Sequence, residues 1–388
     1  MAAKRKRAPK LHELSWFMRE VLDPGTPVGA VTCVLGRIIM GGAAVYRVVP
    51  GTWDVQYRHI PDGVGWPLSV AMEPRPPYRV ALGPETGDVI VFTDTTNATS
   101  IMGHPFTEQR GSKQAVELAW VAYEGSSSLF ARTDDRMLYR MQDEGWHTLE
   151  IPPVHAIAQD EEGGFAALTV VDGTPKVYIS YDGGASWHLR DLGVEVEAEP
   201  NAPARMALAG DSVAIVVGDS GPILSRGPGA VTAQYGGLVH AHTLAFQGMA
   251  PDAWLYVGTQ RSVNHLKPGE YPPPFPTFRE PPPPGSPTTE EVPGAVWLIA
   301  DGTSPIKVMD FLADDHQPLE LGYVAWDSTR GALMVPSRSG LIAMGPESGP
   351  GAKGRAKPKP EKKRAAAPPP VEAPAKPKRT RSKKPQLQ

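Results

Sequence analysis

The sequence predicts an all-β chain assembled from one repeated unit, and two observations carry that reading. The first is a set of short apolar runs, rich in Val, Ile, Tyr and Phe, that come in pairs separated by a few turn residues, as β-hairpins do. Seven such pairs stand in order: Ile38 to Met40 with Val45 to Val48, Arg79 to Gly83 with Val89 to Phe92, Leu129 to Ala131 with Met137 to Tyr139, and Ala166 to Val170 with Val177 to Ser180. Val213 to Val217 with Ile223 to Ser225, Trp254 to Val257 with Val263 to Leu266, and Ala332 to Val335 with Leu341 to Met344 complete the set. The second observation is their spacing: successive anchors at Val45, Val89, Met137, Val177, Ile223, Val263 and Leu341 are 44, 48, 40, 46, 40 and 78 residues apart. A period of roughly 40 to 45 residues suits four strands per unit, and such a unit buries its faces only by stacking on its neighbours. The expected fold is therefore a β-propeller of seven blades, with six or eight left open. The 40 Gly and 43 Pro in 388 residues agree with many turns and exclude a helical bundle.

The flanking segments differ in character. Residues 1–10 carry Lys4, Arg5, Lys6, Arg7 and Lys10 with no acid, and are expected to form a disordered basic arm. Over 11–25, Leu11, Leu14, Met18 and Val21 or Leu22 recur at three- and four-residue steps, which predicts a short amphipathic helix stopped by Asp23-Pro24-Gly25. That helix could lie on the main domain or dock a partner. The propeller is expected over 26–346. Its long last step is explained by a Pro-rich insertion over 267–293, whose Pro272 to Pro274, Pro276 and Pro281 to Pro284 cannot donate ladder hydrogen bonds. The insertion falls in the sixth blade, where Val296 to Ile299 and Ile306 to Met309 would resume the sheet, unless that pair is a further blade. The insertion could offer a polyproline helix to a partner or be a passive loop. Residues 347–388 lack core-forming side chains and are expected to be a disordered Lys/Arg/Pro/Ala-rich tail.

The formal net charge of −3 conceals a separation. From Gly351 onward there are 13 Lys or Arg against Glu361 and Glu372 alone, while Leu11 to Pro350 holds 40 acidic and 21 basic residues. Two basic arms thus flank an acidic body. With Cys33 as the one cysteine, an intramolecular disulfide and a cysteine zinc cluster are both excluded. His12, Glu13, Arg19 and Glu20 interrupt any signal-like apolar run, and no stretch approaches the roughly 18 apolar residues of a membrane span. These features predict a cytoplasmic protein with no membrane partner.

Ser180-Tyr181-Asp182-Gly183-Gly184-Ala185-Ser186-Trp187 matches the pattern Ser-x-Asp-x-Gly-x-Ser/Thr-Trp and so resembles the Asp-box, or BNR repeat, of sialidase-like propellers. A hydroxyl and a carboxylate there can hold turn amides, Gly permits positive φ, and the indole can close the hairpin. Degenerate versions occur at Tyr139 to Trp146, which keeps the acid, Gly and Trp, and at Arg47 to Trp53, which keeps Gly and Trp. The resemblance implies a structural role for Ser180, Asp182, Gly184 and Trp187 and covers 30–346 as architecture.

The enzymatic relatives use an arginine cluster and a tyrosine nucleophile paired with an acid. Arg37, Arg79, Arg132 and Tyr235 could supply those residue types, but their spacing does not single them out, and the early arginine motif and further good Asp-boxes are missing. Gly218-Asp219-Ser220-Gly221-Pro222 echoes a serine-protease nucleophile loop, yet lacks one Gly and falls at a predicted turn, with His240 and His242 in the wrong order for that family. His240 and His242 could share a metal on one strand, but His155, His188 and His265 fall on other blades and supply no third ligand. Asp134-Asp135, Asp160-Glu161-Glu162 and Asp314-Asp315 sit at predicted turns and read as solvated surface. No catalytic residue, cofactor or metal site is therefore predicted.

The strongest signal outside the fold is Lys376, Lys378, Arg379, Arg381, Lys383 and Lys384 in the tail. Such a run can neutralise phosphates without reading bases, and the lack of aromatic residues beyond 351 argues against base stacking. Nucleic-acid contact, an acidic protein surface or the chain's own body, and solubility alone are the three readings. The function expected is a non-catalytic scaffold whose propeller binds a protein partner while the tail contacts a polyanion or acidic surface. The alternatives are a hydrolase of carbohydrate or peptide with a channel site, and a nucleic-acid-associated protein acting through its tail.

Overall fold

A computed structural model describes the strands and tight turns between residues 16 and 346. Residues 1–15, 23–27, 59–66, 102–114, 260–293, 312–322 and 347–388, with shorter loop stretches, lie outside the described residues. The basic arm, residues 267–293, His265, Asp314, Asp315 and the tail cations from Lys376 to Lys384 therefore fall outside them too.

Among the described residues, seven four-stranded antiparallel sheets are formed. Blades 1 to 6 run in sequence over 28–58, 67–101, 115–148, 154–191, 204–234 and 241–311, and blade 7 consists of 325–346 plus Trp16–Leu22. The first strand of each blade lies against the first strands of its neighbours, closing a ring around a central channel. This is the seven-bladed β-propeller that the repeat period predicts. No helix among the described residues is long and apolar enough to cross a membrane.

Strand alternation explains how the ring is held. In blade 5, Met206, Leu208, Val213, Ile215 and Ile223 pack toward blade 4, whereas Ala207, Ala209, Ala214, Val216 and Leu224 pack toward blade 6. Both faces of the sheet are buried, so Val213 to Val217 of the strand Ser212–Val217 reads as a continuous apolar run rather than an alternating one. Each of the seven blade interfaces has its own cluster of this kind. Phe130 and Phe165, wholly buried with centroids 4.4 Å apart, anchor the interface of blades 3 and 4.

Two expectations are corrected. The helix over 11–25 is not formed where the chain is described: Trp16–Leu22 is a strand, the fourth and outermost of blade 7, paired antiparallel with Gly340–Pro346. Met18, placed on the apolar face of the expected helix, is 63% exposed, while Val21 is buried against blade 1. Trp, Phe and Val favour a strand once a partner edge is present, and that edge lies over 300 residues away, beyond any local periodicity. The propeller thus begins at Trp16, before the expected boundary at 26.

The second correction concerns blade 6. Leu255–Thr259 pairs with Gly294–Ile299, not with residues 263–266, so 260–293 connects the second and third strands of one blade. Ile306–Phe311 then completes the same sheet, which rules out a further blade at that pair. The remaining six predicted pairs are all second and third strands of their blades.

Candidate functional site

The turn from Ser180 to Trp187 joins the third and fourth strands of blade 4. Ser180 Oγ donates to Asp182 Oδ1 at 2.8 Å and accepts from the Gly184 amide at 2.8 Å. Asp182 Oδ1 accepts from the amides of Ala185 at 3.0 Å and Ser186 at 2.8 Å. Gly184 has φ +83°, and a Cβ there would stand 2.6 Å from the Phe130 ring, so both backbone and space demand glycine. Trp187 packs edge-on to Phe165 at 5.5 Å. The degenerate turns at 139–146 and 47–53 occupy the same place between third and fourth strands.

Hydrogen bonds from the Ser186 hydroxyl and amide, against the opposing effect of desolvation, hold the Asp182 carboxyl down at about 2, below its ordinary 3.8. A lowered folded pKa contributes stability above the unfolded value and loses it as pH falls from about 4 through 2. Asp182→Asn should therefore show a shallower decline of the urea midpoint across that window than the parent protein; equal slopes would mean that the turn does not favour the ionised form.

The central channel holds a cavity of about 180 Å³ lined by the innermost segments of all seven blades, with Ser69, Glu117, Arg205, Thr243 and Tyr323 as its polar groups. Glu117 and Arg132 are direct cross-strand partners in blade 3, and Arg132 Nε donates to Glu117 Oε2 at 2.7 Å. Arg205 of blade 5 stands 3.5 Å from the other carboxylate oxygen. Glu117 also accepts from the Ile157 amide of blade 4 at 2.9 Å. The Arg205 guanidinium lies 4.5 Å from the Tyr323 ring centroid, hydrogen-bonds the Tyr323 hydroxyl and donates to Ala204 O at 2.7 Å. Burial pushes the Tyr323 phenol up, against the pull of Arg205. Val324 N donates to Thr243 Oγ1 at 2.8 Å, tying blade 7 to blade 6.

A second polar bridge spans the channel near one mouth. The Ser328 hydroxyl of blade 7 donates to both Glu161 carboxylate oxygens, at 2.8 and 2.9 Å, although Glu161 belongs to blade 4. Burial, with further push from Asp327, Asp160 and Glu162, raises the Glu161 carboxyl despite the Ser328 bond. Asp160, 6% exposed, accepts from the Glu162 and Gly164 amides and from Gly210 of blade 5. The acidic trio read as solvated surface is thus split: Glu162 is exposed, while Asp160 and Glu161 fasten blades together.

The other weighed residues do not converge. Of the four considered for a sialidase-like site, Arg132 reaches the channel network. Arg79 forks onto Glu73 and stacks 4.4 Å from Trp120, Arg37 stacks on Tyr78, and Tyr235 lies just past the outer strand of blade 5. Ser220 sits in a turn, as expected, and its hydroxyl bonds Gly221 O. His240 precedes the strand Ala241–Phe246 and meets Asp219 at 3.0 Å, so it does not share a strand face with His242. Among the described residues there is no cluster of three or more metal-ligating side chains.

Glu117, Arg205 and Tyr323 were not singled out from sequence. The signal was present for two of them: Glu117 and Arg205 are the lone charges inside the otherwise apolar innermost strands Ala115–Tyr123 and Ala204–Ala209, the place where only the channel can receive a charge.

No protein-family profile and no curated protein sequence matches the chain. Among solved structures, YCF48 bound to D1 peptide is similar at TM-score 0.53 and 12% identity, over 87% of this chain and 99% of that one. YCF48 from Cyanidioschyzon merolae is similar at TM-score 0.51 and 10% identity, over 84% and 98%. The chain is a seven-bladed β-propeller that resembles YCF48 in fold.

Proposed function

We propose that the protein is a non-catalytic interaction scaffold whose propeller binds a protein or peptide partner, while the basic tail contacts a polyanion or acidic surface. The observation that carries this reading is the likeness, across 87% of the chain, to a propeller solved with a peptide bound. The channel chemistry is consistent with it. Glu117 is the one carboxylate lining the described cavity, and both its oxygens are engaged by cations and an amide, so it is poorly placed to serve as a base. A hydrolase is the second reading, because Arg132, Arg205, Glu117 and Tyr323 do cluster in the channel. It would need a free acid to pair with Tyr323, since the Tyr323 hydroxyl bonds Arg205 and Glu117 is held by both arginines. Ser180, Asp182, Gly184 and Trp187 of the Asp-box turn serve the blade rather than a ligand on this reading, and the lone Cys33 fits a cytoplasmic setting.

Affinity purification of the full-length protein beside a 1–350 truncation, with and without nuclease, tests the proposal. A defined protein retained by both after nuclease is the expected result. Retention only of nuclease-sensitive material by the tail would overturn the propeller's role as the binding element.

A further inference from the structure

Because the strands of each blade run up and down, the turns joining strands one to two and three to four all lie on the same rim. On that rim blades 3 and 4 present two exposed tyrosines, beside the first turn of blade 5. Tyr123 is 37% exposed at the end of the first strand of blade 3, and Tyr181 is 43% exposed in the turn beside Asp182. They belong to one surface: a Cβ on Gly183 would stand 3.3 Å from Tyr123 Cβ, so the turn bearing Tyr181 abuts Tyr123.

One of the rings is fixed by a carboxylate: Tyr181 donates to Asp211 Oδ1 of blade 5 at 2.7 Å, while Glu124 follows Tyr123 directly in the chain. An anchored ring has already lost much of the freedom that binding would otherwise cost, which is how aromatic anchors are prepared for a partner. Charge on the same rim is mostly negative. Glu124, Glu162 and Asp211 are exposed, and Asp182, part-exposed, is held in its ionised form. Arg190 stands among them, its guanidinium donating to Asp211 O at 2.6 Å, and His188 lies 6.4 Å from Tyr181. Carboxylates that accept a phenol proton keep lone pairs for an ammonium or guanidinium.

Flat aromatic rings pack well against the pyrrolidine faces of an extended proline-bearing chain, and surrounding acids favour basic residues interleaved with them. We infer that this rim of blades 3 to 5 binds an extended, basic, proline-bearing peptide segment, with Tyr123 and Tyr181 against the prolines and Glu124 and Asp211 facing the cations. The inference rests on the scaffold reading and names the partner class of one surface.

The probe is a fluorescein-labelled Lys-Pro repeat peptide of about ten residues, roughly 30 Å long as a polyproline II helix, titrated with the full-length protein by anisotropy. A saturable complex is expected that weakens with salt, weakens at least tenfold in a Tyr123→Ala/Tyr181→Ala variant and in Asp211→Asn, and is unchanged in Val171→Ser on the opposite rim. A Glu-Pro repeat peptide of the same length should not bind. Absence of Lys-Pro binding, equal binding of Glu-Pro, or binding indifferent to the tyrosine pair would each overturn the inference. The partner recovered by affinity purification could still stand in those cases, so failure here is distinct from failure of the scaffold reading. Circular dichroism of each variant checks that the propeller is intact, and Tyr123→Phe/Tyr181→Phe, which keeps the rings, should retain most of the affinity.

Discussion

Removal of residues 1–22 is expected to open the propeller ring and make the chain aggregate. Trp16–Leu22 is the only part of the chain before blade 1 that enters the described ring, and it supplies the outer strand that joins the two ends. Val21 is buried between blades 7 and 1, with Phe17 and Leu22 packed against the same cluster, and Trp16 packs edge-on to Tyr256 at 6.3 Å. Full burial of such a side chain contributes about 1.5 to 3 kcal/mol, and the half-buried Trp16, Phe17 and Leu22 contribute less each. Losing several removes on the order of 5 kcal/mol, comparable with the whole stability of a typical domain. The deletion also uncovers the backbone edge of Gly340–Pro346, a template for intermolecular pairing. Size-exclusion chromatography should show aggregate in place of the parent protein's peak. Trp16 and Pro346 are register partners, so a permuted chain carrying 16–22 after Pro346 through a short turn should recover the parent's elution. A simple deletion that elutes and melts as the parent does would mean that the ring does not depend on this closure.

Glu117→Ala is expected to cost about 3 kcal/mol, because removing one partner strands the others as buried charges. Arg132 is 8% and Arg205 17% exposed at the side chain, and the Ile157 amide would lose its acceptor as well. Glu117→Gln can still accept from that amide and should lose less. Replacing the set together, Glu117→Leu with Arg132→Leu and Arg205→Met, should recover much of the loss, since an apolar trio leaves no charge unpaired. Urea unfolding of the single and triple variants measures this. A loss below about 1 kcal/mol in Glu117→Ala would show that the channel is wet enough to solvate both arginines.

These expectations come from different levels of legibility. The blades were readable because the second and third strands of a propeller sheet are joined by short turns and buried on both faces, so Ala166 to Val170 with Val177 to Ser180 declares itself locally. The turn at Ser180 to Trp187 was readable for the same reason, since its hydrogen bonds span no more than a few residues. Blade 6 was misread where that locality fails. Residues 260–293 intervene between its second and third strands, and the apolar run at 263–266 stood where a partner strand would be expected. The outer strand at 16–22 was misread because a half-exposed seven-residue strand carries a weak pattern that also fits a helix.

By itself the sequence determined the repeat, the all-β class, the turn chemistry and the separation of basic ends from an acidic body, all of which depend on neighbours in the chain or on composition. Tertiary structure alone decided how the ring closes, which charges meet in the channel and which tyrosines share a rim. Glu117 meets Arg205, Glu161 meets Ser328, and Trp16 meets Pro346 only after every blade between them has been laid down. The reason is geometric: closing a circle brings together residues from opposite sides of the chain, and their proximity is a property of the completed ring rather than of any one blade.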